Sequence, residues 1–97
     1  MTNSLTPIIG NDQTVNVASA SAATANALGS SATIVRIVLT QPGFIEFGSS
    51  PTATAANSTY LPADTPEYFV IPTPGTSKIA VIRSGSTDGK MYVSEFA

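Results

Sequence analysis

The sequence predicts an all-β fold: a small β-sandwich or barrel of about seven short antiparallel strands with an extended N-terminal arm. Three observations carry this. Short β-branched and aromatic runs recur along the chain, as at residues 33–40 (TIVRIVLT) and 78–83 (KIAVIR). Turn residues separate such runs about every 8–12 residues. No window carries the 3.6-residue apolar stripe that a helix would need.

Taken in order, the first segment is the arm. Residues 1–13 are mostly polar, but Leu5, Ile8 and Ile9 form an apolar cluster around Pro7. An extended segment with such a cluster is expected to dock on something other than its own domain, which makes Leu5, Ile8 and Ile9 candidate contact residues. Residues 14–97 then form a single β-domain. Alternation at residues 14–18 (TVNVA) predicts a strand with Val15 and Val17 on one face. The tract at 18–33 (ASASAATANALGSSAT) is rich in alanine, yet its Ser, Thr, Asn and Gly are poor helix-interior residues, so it is not read as helix.

Residues 33–40 carry β-branched and apolar side chains on both faces, as expected of a central buried strand. Gln41, Pro42 and Gly43 then make a turn into residues 44–47 (FIEF). Pro62, Pro66 and Pro72 bracket residues 67–71 (EYFVI), which places that strand near an edge. The pair Asp88-Gly89 predicts a hairpin joining 78–83 to 91–96.

Composition limits the function. The chain has 97 residues, and 42% of them are hydrophobic. Of these, 13 are alanine, leaving 28 larger apolar side chains, enough for one thin sandwich or barrel. Only 10% are charged, against about 25% in typical soluble domains. A surface of small uncharged side chains costs little to bury against a partner, because few charges need desolvating and few long side chains need ordering. The four cations, Arg36, Lys78, Arg83 and Lys90, are scattered and the net charge is −2, which argues against nucleic-acid binding. No apolar run is long enough to span a membrane, and the N-terminal residues do not read as a secretory signal.

Histidine and cysteine are both absent, which removes the commonest general base, the commonest nucleophile dyads and most transition-metal sites. Asp64 and Glu67 lie three apart on a proline-bounded segment and read as solvated rather than as a glycosidase pair. The acids are too dispersed for a calcium loop. Asn57, Ser58 and Thr59 form a glycosylation sequon that carries no weight without a secretory signal. Alternation alone accounts for Glu46 on the outward side of its strand; its nearest functional reading is an intersubunit or intersheet salt bridge with Arg36 or Arg83. Phe47, Phe69 and Tyr92 are expected in the core, Tyr60 at an exposed contact, and Phe96 either sealing the core or anchored on a neighbour. No catalytic residue, cofactor or metal ligand is assigned, and the chain is read as a non-enzyme.

The order of strands and turns resembles small β-rich virion proteins of tailed bacteriophages, which include capsid decoration (cement) proteins. The matching positions are Val35-Arg36-Ile37-Val38, Phe44 with Phe47-Gly48, Glu67 with Phe69, Thr76 with Ile79-Ala80-Val81-Ile82, and Met91-Tyr92-Val93. They cover residues 34–96 and consist of strand-and-turn patterns without a chemical signature. Leu39-Thr40-Gln41-Pro42 stands where the family pattern has Asn and a small polar turn. The resemblance implies a homo-oligomer, a trimer or dimer, on the outer capsid surface, with the phage major capsid protein as partner and no cofactor. A collar, tail or fibre component is the alternative within the virion. A non-catalytic glycan or host-surface binding module using Tyr60, Asp64 and Asn57 is the alternative from another class.

Overall fold

In the computed structural model, which describes residues 5–97, the β-branched runs form strands and no helix is present among the described residues. The strands are β1 (Gln13–Val17), β2 (Ala22–Ala23), β3 (Ile34–Leu39), β4 (Gly43–Gly48), β5 (Thr59–Leu61), β6 (Glu67–Val70), β7 (Lys78–Arg83) and β8 (Gly89–Phe96). They make two four-stranded sheets, sheet A in the order β1-β8-β3-β6 and sheet B in the order β2-β7-β4-β5. Every strand pairing is antiparallel.

This connectivity reduces to one long antiparallel ribbon. Along it β1 couples with β8, β2 with β7, β3 with β6 and β4 with β5. Rolling the ribbon adds two further pairings, β8 with β3 and β7 with β4. Such a strand order is that of an eight-stranded jelly roll. Of the sandwich and the barrel, the fold is the sandwich.

One consequence overturns a sequence expectation. Only β4 and β5 are consecutive strands of the same sheet; β7 and β8 lie in different sheets and are not a hairpin. β7 fits between β2 and β4, while β8 fits between β1 and β3, so residues 84–88 cross from one sheet to the other. Arg83 and Asp88 form an ion pair across this crossing. Gly89 serves a different purpose from a turn residue. A Cβ there would stand 2.7 Å from the Thr40 hydroxyl, which accepts the Lys90 N–H at 2.8 Å.

The core lies between the sheets. Sheet A contributes Val15, Val17, Val35, Ile37, Leu39, Met91 and Val93; sheet B contributes Ile45, Leu61, Ile79 and Val81. Alternation accounts for the pattern: in β3, Val35, Ile37 and Leu39 point inward and are fully buried, whereas Ile34, Arg36 and Val38 point outward. The expectation that this strand is buried on both faces is therefore corrected, because among the described residues its outer side is only partly covered. Phe47 and Phe69 meet edge to face between the two sheets, with ring centroids 5.7 Å apart, as core fillers should.

The alanine-rich tract does not form helix. Its Thr24 extends the β2 edge along β7, donating its N–H to the Ile79 carbonyl at 2.9 Å and accepting the Ile79 N–H on its hydroxyl at 3.2 Å. Leu28 and Ala32 of the same tract are fully buried in the core. Gly43 marks the tightest strand-to-strand approach: a Cβ there would stand 2.6 Å from the backbone oxygen of Ile82. Gly43→Ala must therefore push β4 from β7, and a destabilisation of about 2 kcal/mol is expected in urea unfolding.

Candidate functional site

The two outer faces of the sandwich are treated differently by the chain. On sheet B, alternation points Phe44, Glu46, Tyr60, Ala80 and Ile82 away from the core. The β4–β5 loop folds back toward this side. Its Ala53 is buried and donates its N–H to the Ser21 hydroxyl at 2.9 Å, and its Ser58 hydroxyl donates to Glu46 Oε1 at 3.0 Å. Ala80 is fully buried although it points outward, so the middle of this face is covered, while Tyr60 at its edge stays about half exposed. Within the chain Glu46 thus pairs with Ser58, and the intersheet bridge to Arg36 or Arg83 is not formed. Arg36 belongs to the other sheet, and Arg83 is engaged by Asp88.

Sheet A has no such cover among the described residues. Its register sets outward side chains in rows across the strands. One row runs Pro7, Phe96, Ile34 and Val70, with Pro7 bridging Phe96 from the arm. The next runs Ser94, Arg36 and Tyr68, and the third Thr14, Tyr92 and Val38. Tyr68 leans on Phe96, with ring centroids 6.2 Å apart. Tyr68 remains 52% exposed, Val70 74% and Tyr92 46%. At the far end Lys90 donates from Nζ to Asn16 Oδ1 at 2.6 Å. The outward positions of the four strands hold Arg36 and Lys90 and none of the six acids.

The expected contact residues divide between these faces. Phe96 lies on the outer face of sheet A, partly buried against Tyr68. Leu5 is about half exposed, two residues before Pro7 at the margin of the same face. Ile9 is 93% exposed in the turn formed with Gly10, whose φ of 91° suits glycine. Ile8 instead packs on this domain's own core, and its N–H donates to the Glu95 carbonyl at 2.9 Å. Thr6 accepts the Ala97 N–H at 2.8 Å, so the arm continues sheet A alongside β8. The expectation that the arm finds its apolar contacts elsewhere is therefore corrected at Ile8, while Leu5 and Ile9 are exposed. Its residues 1–4 lie outside the described residues. Tyr60 is about half exposed as expected, but it sits on sheet B, edge to face with Phe44, and does not join Phe96.

Tyr68, Val70 and Tyr92 are the face residues that sequence reasoning missed. Tyr92, expected in the core, points out because its neighbours Met91 and Val93 point in. The signal was present as alternation, but both phases of these strands are apolar, so alternation alone did not say which phase was the core.

A second feature sits at the arm's base. Glu95 is 1% exposed, and its Oε1 accepts the Gly29 N–H at 2.9 Å and the Asn11 side-chain amide at 3.4 Å. It lines a polar recess of about 180 Å³ together with Asn11, Asp12, Gln13 and Asn26. Gln13 and Asn26 satisfy each other there: the Gln13 amide donates to the Asn26 carbonyl at 3.0 Å and accepts the Asn26 N–H at 3.1 Å. Among the described residues no group of three or more His, Cys, Asp or Glu is placed to hold a metal ion. Asp64 occupies a turn with φ of 57° and donates its N–H to the Leu39 carbonyl at 2.7 Å, a structural position for a loop acid.

What the geometry defines is a jelly-roll sandwich in which, among the described residues, one face is partly covered by a loop and the other presents exposed apolar side chains. Comparison with known proteins adds no name to that class: no family model, no curated protein and no solved structure matches the chain.

Proposed function

We propose that this chain is a non-enzymatic structural protein of a phage virion that decorates the capsid and stabilises it by bridging neighbouring major capsid proteins. The observation that carries the reading is the open outer face of sheet A. Tyr68, Val70, Tyr92, Ile34, Val38 and Phe96 share that face around Arg36, with Tyr68, Val70 and Tyr92 exposed, and clustered exposed apolar side chains mark interaction sites. Exposed aromatic rings are also the side chains that contribute most at protein interfaces. The low charge of the whole chain supports the same reading, since it reduces the desolvation cost of docking.

In this mechanism the face of sheet A lies against the shell and Leu5 and Ile9 of the arm extend the contact at its margin. Copies associate as a trimer or dimer, and several modest contacts per oligomer sum to tight binding once the shell is assembled. The copy number of the chain in purified virions, relative to the major capsid protein, is the direct test. A ratio near one, or a simple fraction such as one-third, is expected. A few copies per particle would move the protein to the collar, tail or fibres. Absence from virions would overturn the reading in favour of a glycan or host-surface binding module.

A point change tests the face itself. Val70→Asp places a charge on the most exposed apolar position of the sheet, so its melting temperature should stay near that of the parent chain. Occupancy of capsids stripped of this chain should fall by at least about tenfold at equal concentration. Undiminished occupancy would remove sheet A from the interface.

A further inference from the structure

The docking reading uses the apolar groups of sheet A and leaves one residue of that face unexplained. Arg36 stands at its centre, with Ser94 and Tyr68 beside it across the strands and Ile34 and Val38 two residues away on its own strand. Among the described residues it forms no ion pair, and its Nε is buried without a hydrogen-bond partner. A guanidinium keeps its charge at any physiological pH and offers its donors in a planar fork. Any surface that covers Tyr68, Val70 and Tyr92 must also cover Arg36. Burying an unpaired guanidinium opposes association strongly, so the covering surface has to bring an acceptor. A carboxylate matches the fork in charge and geometry better than any neutral group.

We propose that the outer face of sheet A receives a protein surface that presents a carboxylate ringed by apolar side chains, with Arg36 as the anchor of the contact. This rests on the docking reading and names the chemistry of the partner. Charge complementarity decides among the occupants. A second copy of the same face would bring Arg36 and Lys90 again and no acid at any outward strand position, so the homo-oligomer must use another surface. Two cations are too few to track a phosphate backbone. Two recesses lie beside Glu95 and, at the far margin of this face, between Asn16, Asp88 and Lys90, and Arg36 lines neither of them.

The experiment titrates capsids stripped of this chain with the full-length wild type and with Arg36→Gln, Arg36→Lys and Val70→Asp. Circular dichroism and melting first establish that each variant is folded. Arg36→Gln is expected to raise the half-saturating concentration by about tenfold or more, and Arg36→Lys to recover only part of that loss, because lysine supplies charge without the fork. Wild-type binding should weaken with added salt more steeply than Arg36→Gln binding does. Binding by Arg36→Gln equal to wild type, alongside loss in Val70→Asp, would overturn the carboxylate anchor while leaving the docking face in place. Failure of the wild type to bind capsids would overturn the docking reading and this inference together. Sedimentation showing self-association that Val70→Asp abolishes would make a second copy the occupant and overturn the proposal.

Discussion

Ile37→Ala is expected to lower the unfolding free energy by about 3–4 kcal/mol, the upper-middle of the range for truncating a buried isoleucine. Ile37 is fully buried in β3, an inner strand, and pairs with Val93 of β8 on one side and Glu67 of β6 on the other. A residue held between two paired strands and the facing sheet cannot be replaced by local collapse, so most of the lost volume remains as a cavity. A domain of this size has about 5–15 kcal/mol in total, so the change should remove a large part of its stability. Urea denaturation is the measurement, with the slope unchanged and the midpoint shifted. The neighbouring change Ile34→Ala, on the outward phase of the same strand, should cost less than about 1 kcal/mol. Equal effects at the two positions would mean that the outer face of sheet A is packed in the free chain, which would also remove the basis for docking there.

Glu95→Ala is expected to cost about 2–4 kcal/mol, whereas Glu95→Gln should stay within about 1 kcal/mol of the parent. The difference lies in what each leaves behind. Alanine removes the acceptor for the Gly29 N–H and for the Asn11 amide, leaving donors unsatisfied beside a space the size of the lost side chain. Glutamine keeps an oxygen where Oε1 stands. Gly29 has room for that approach because it lacks a side chain: a Cβ there would be 3.0 Å from Oε1. Hydrogen exchange should localise the alanine effect to the arm as well, since Ile8 donates its N–H to the Glu95 carbonyl and Asn11 donates to the Glu95 side chain. An alanine variant as stable as the parent would show that Glu95 does not tie the arm and the Gly29 turn to β8.

The face on which the functional reading rests shows where alternation stops being informative. In β1 the contrast between Val15 and Val17 on one side and Thr14 and Asn16 on the other announces the buried phase directly. In β6 and β8 it does not. Tyr68 and Val70 against Phe69 and Ile71, or Tyr92 against Met91 and Val93, offer apolar groups on both phases. A strand of that kind has two hydrophobic faces, and only its neighbours decide which becomes core. The same ambiguity made residues 33–40 read as buried on both sides, when the outward phase is only partly buried among the described residues. Its second apolar phase was the mark of the candidate site, visible in the sequence but not distinguishable from core.

By itself the sequence determined the all-β class, the short strands, the edge position of the proline-bounded segment and the absence of helix in the alanine-rich tract. These follow from local physics: β-branched side chains, turn residues and prolines act within a few residues of where they stand. Only the tertiary structure decided the pairings. The Asp88-Gly89 signal pointed to a hairpin, yet β8 makes its bonds with β1 and β3, far away in sequence, because a ribbon rolled into two sheets buries Met91, Val93, Ile79 and Val81 together. Within the chain Glu46 met Ser58 rather than an arginine, Ile8 turned toward the core, and Arg36 came to rest between Ser94 and Tyr68 with its Nε unpartnered among the described residues, for the same reason. Which side chains share a face is set by long-range register, and no short stretch of sequence contains it.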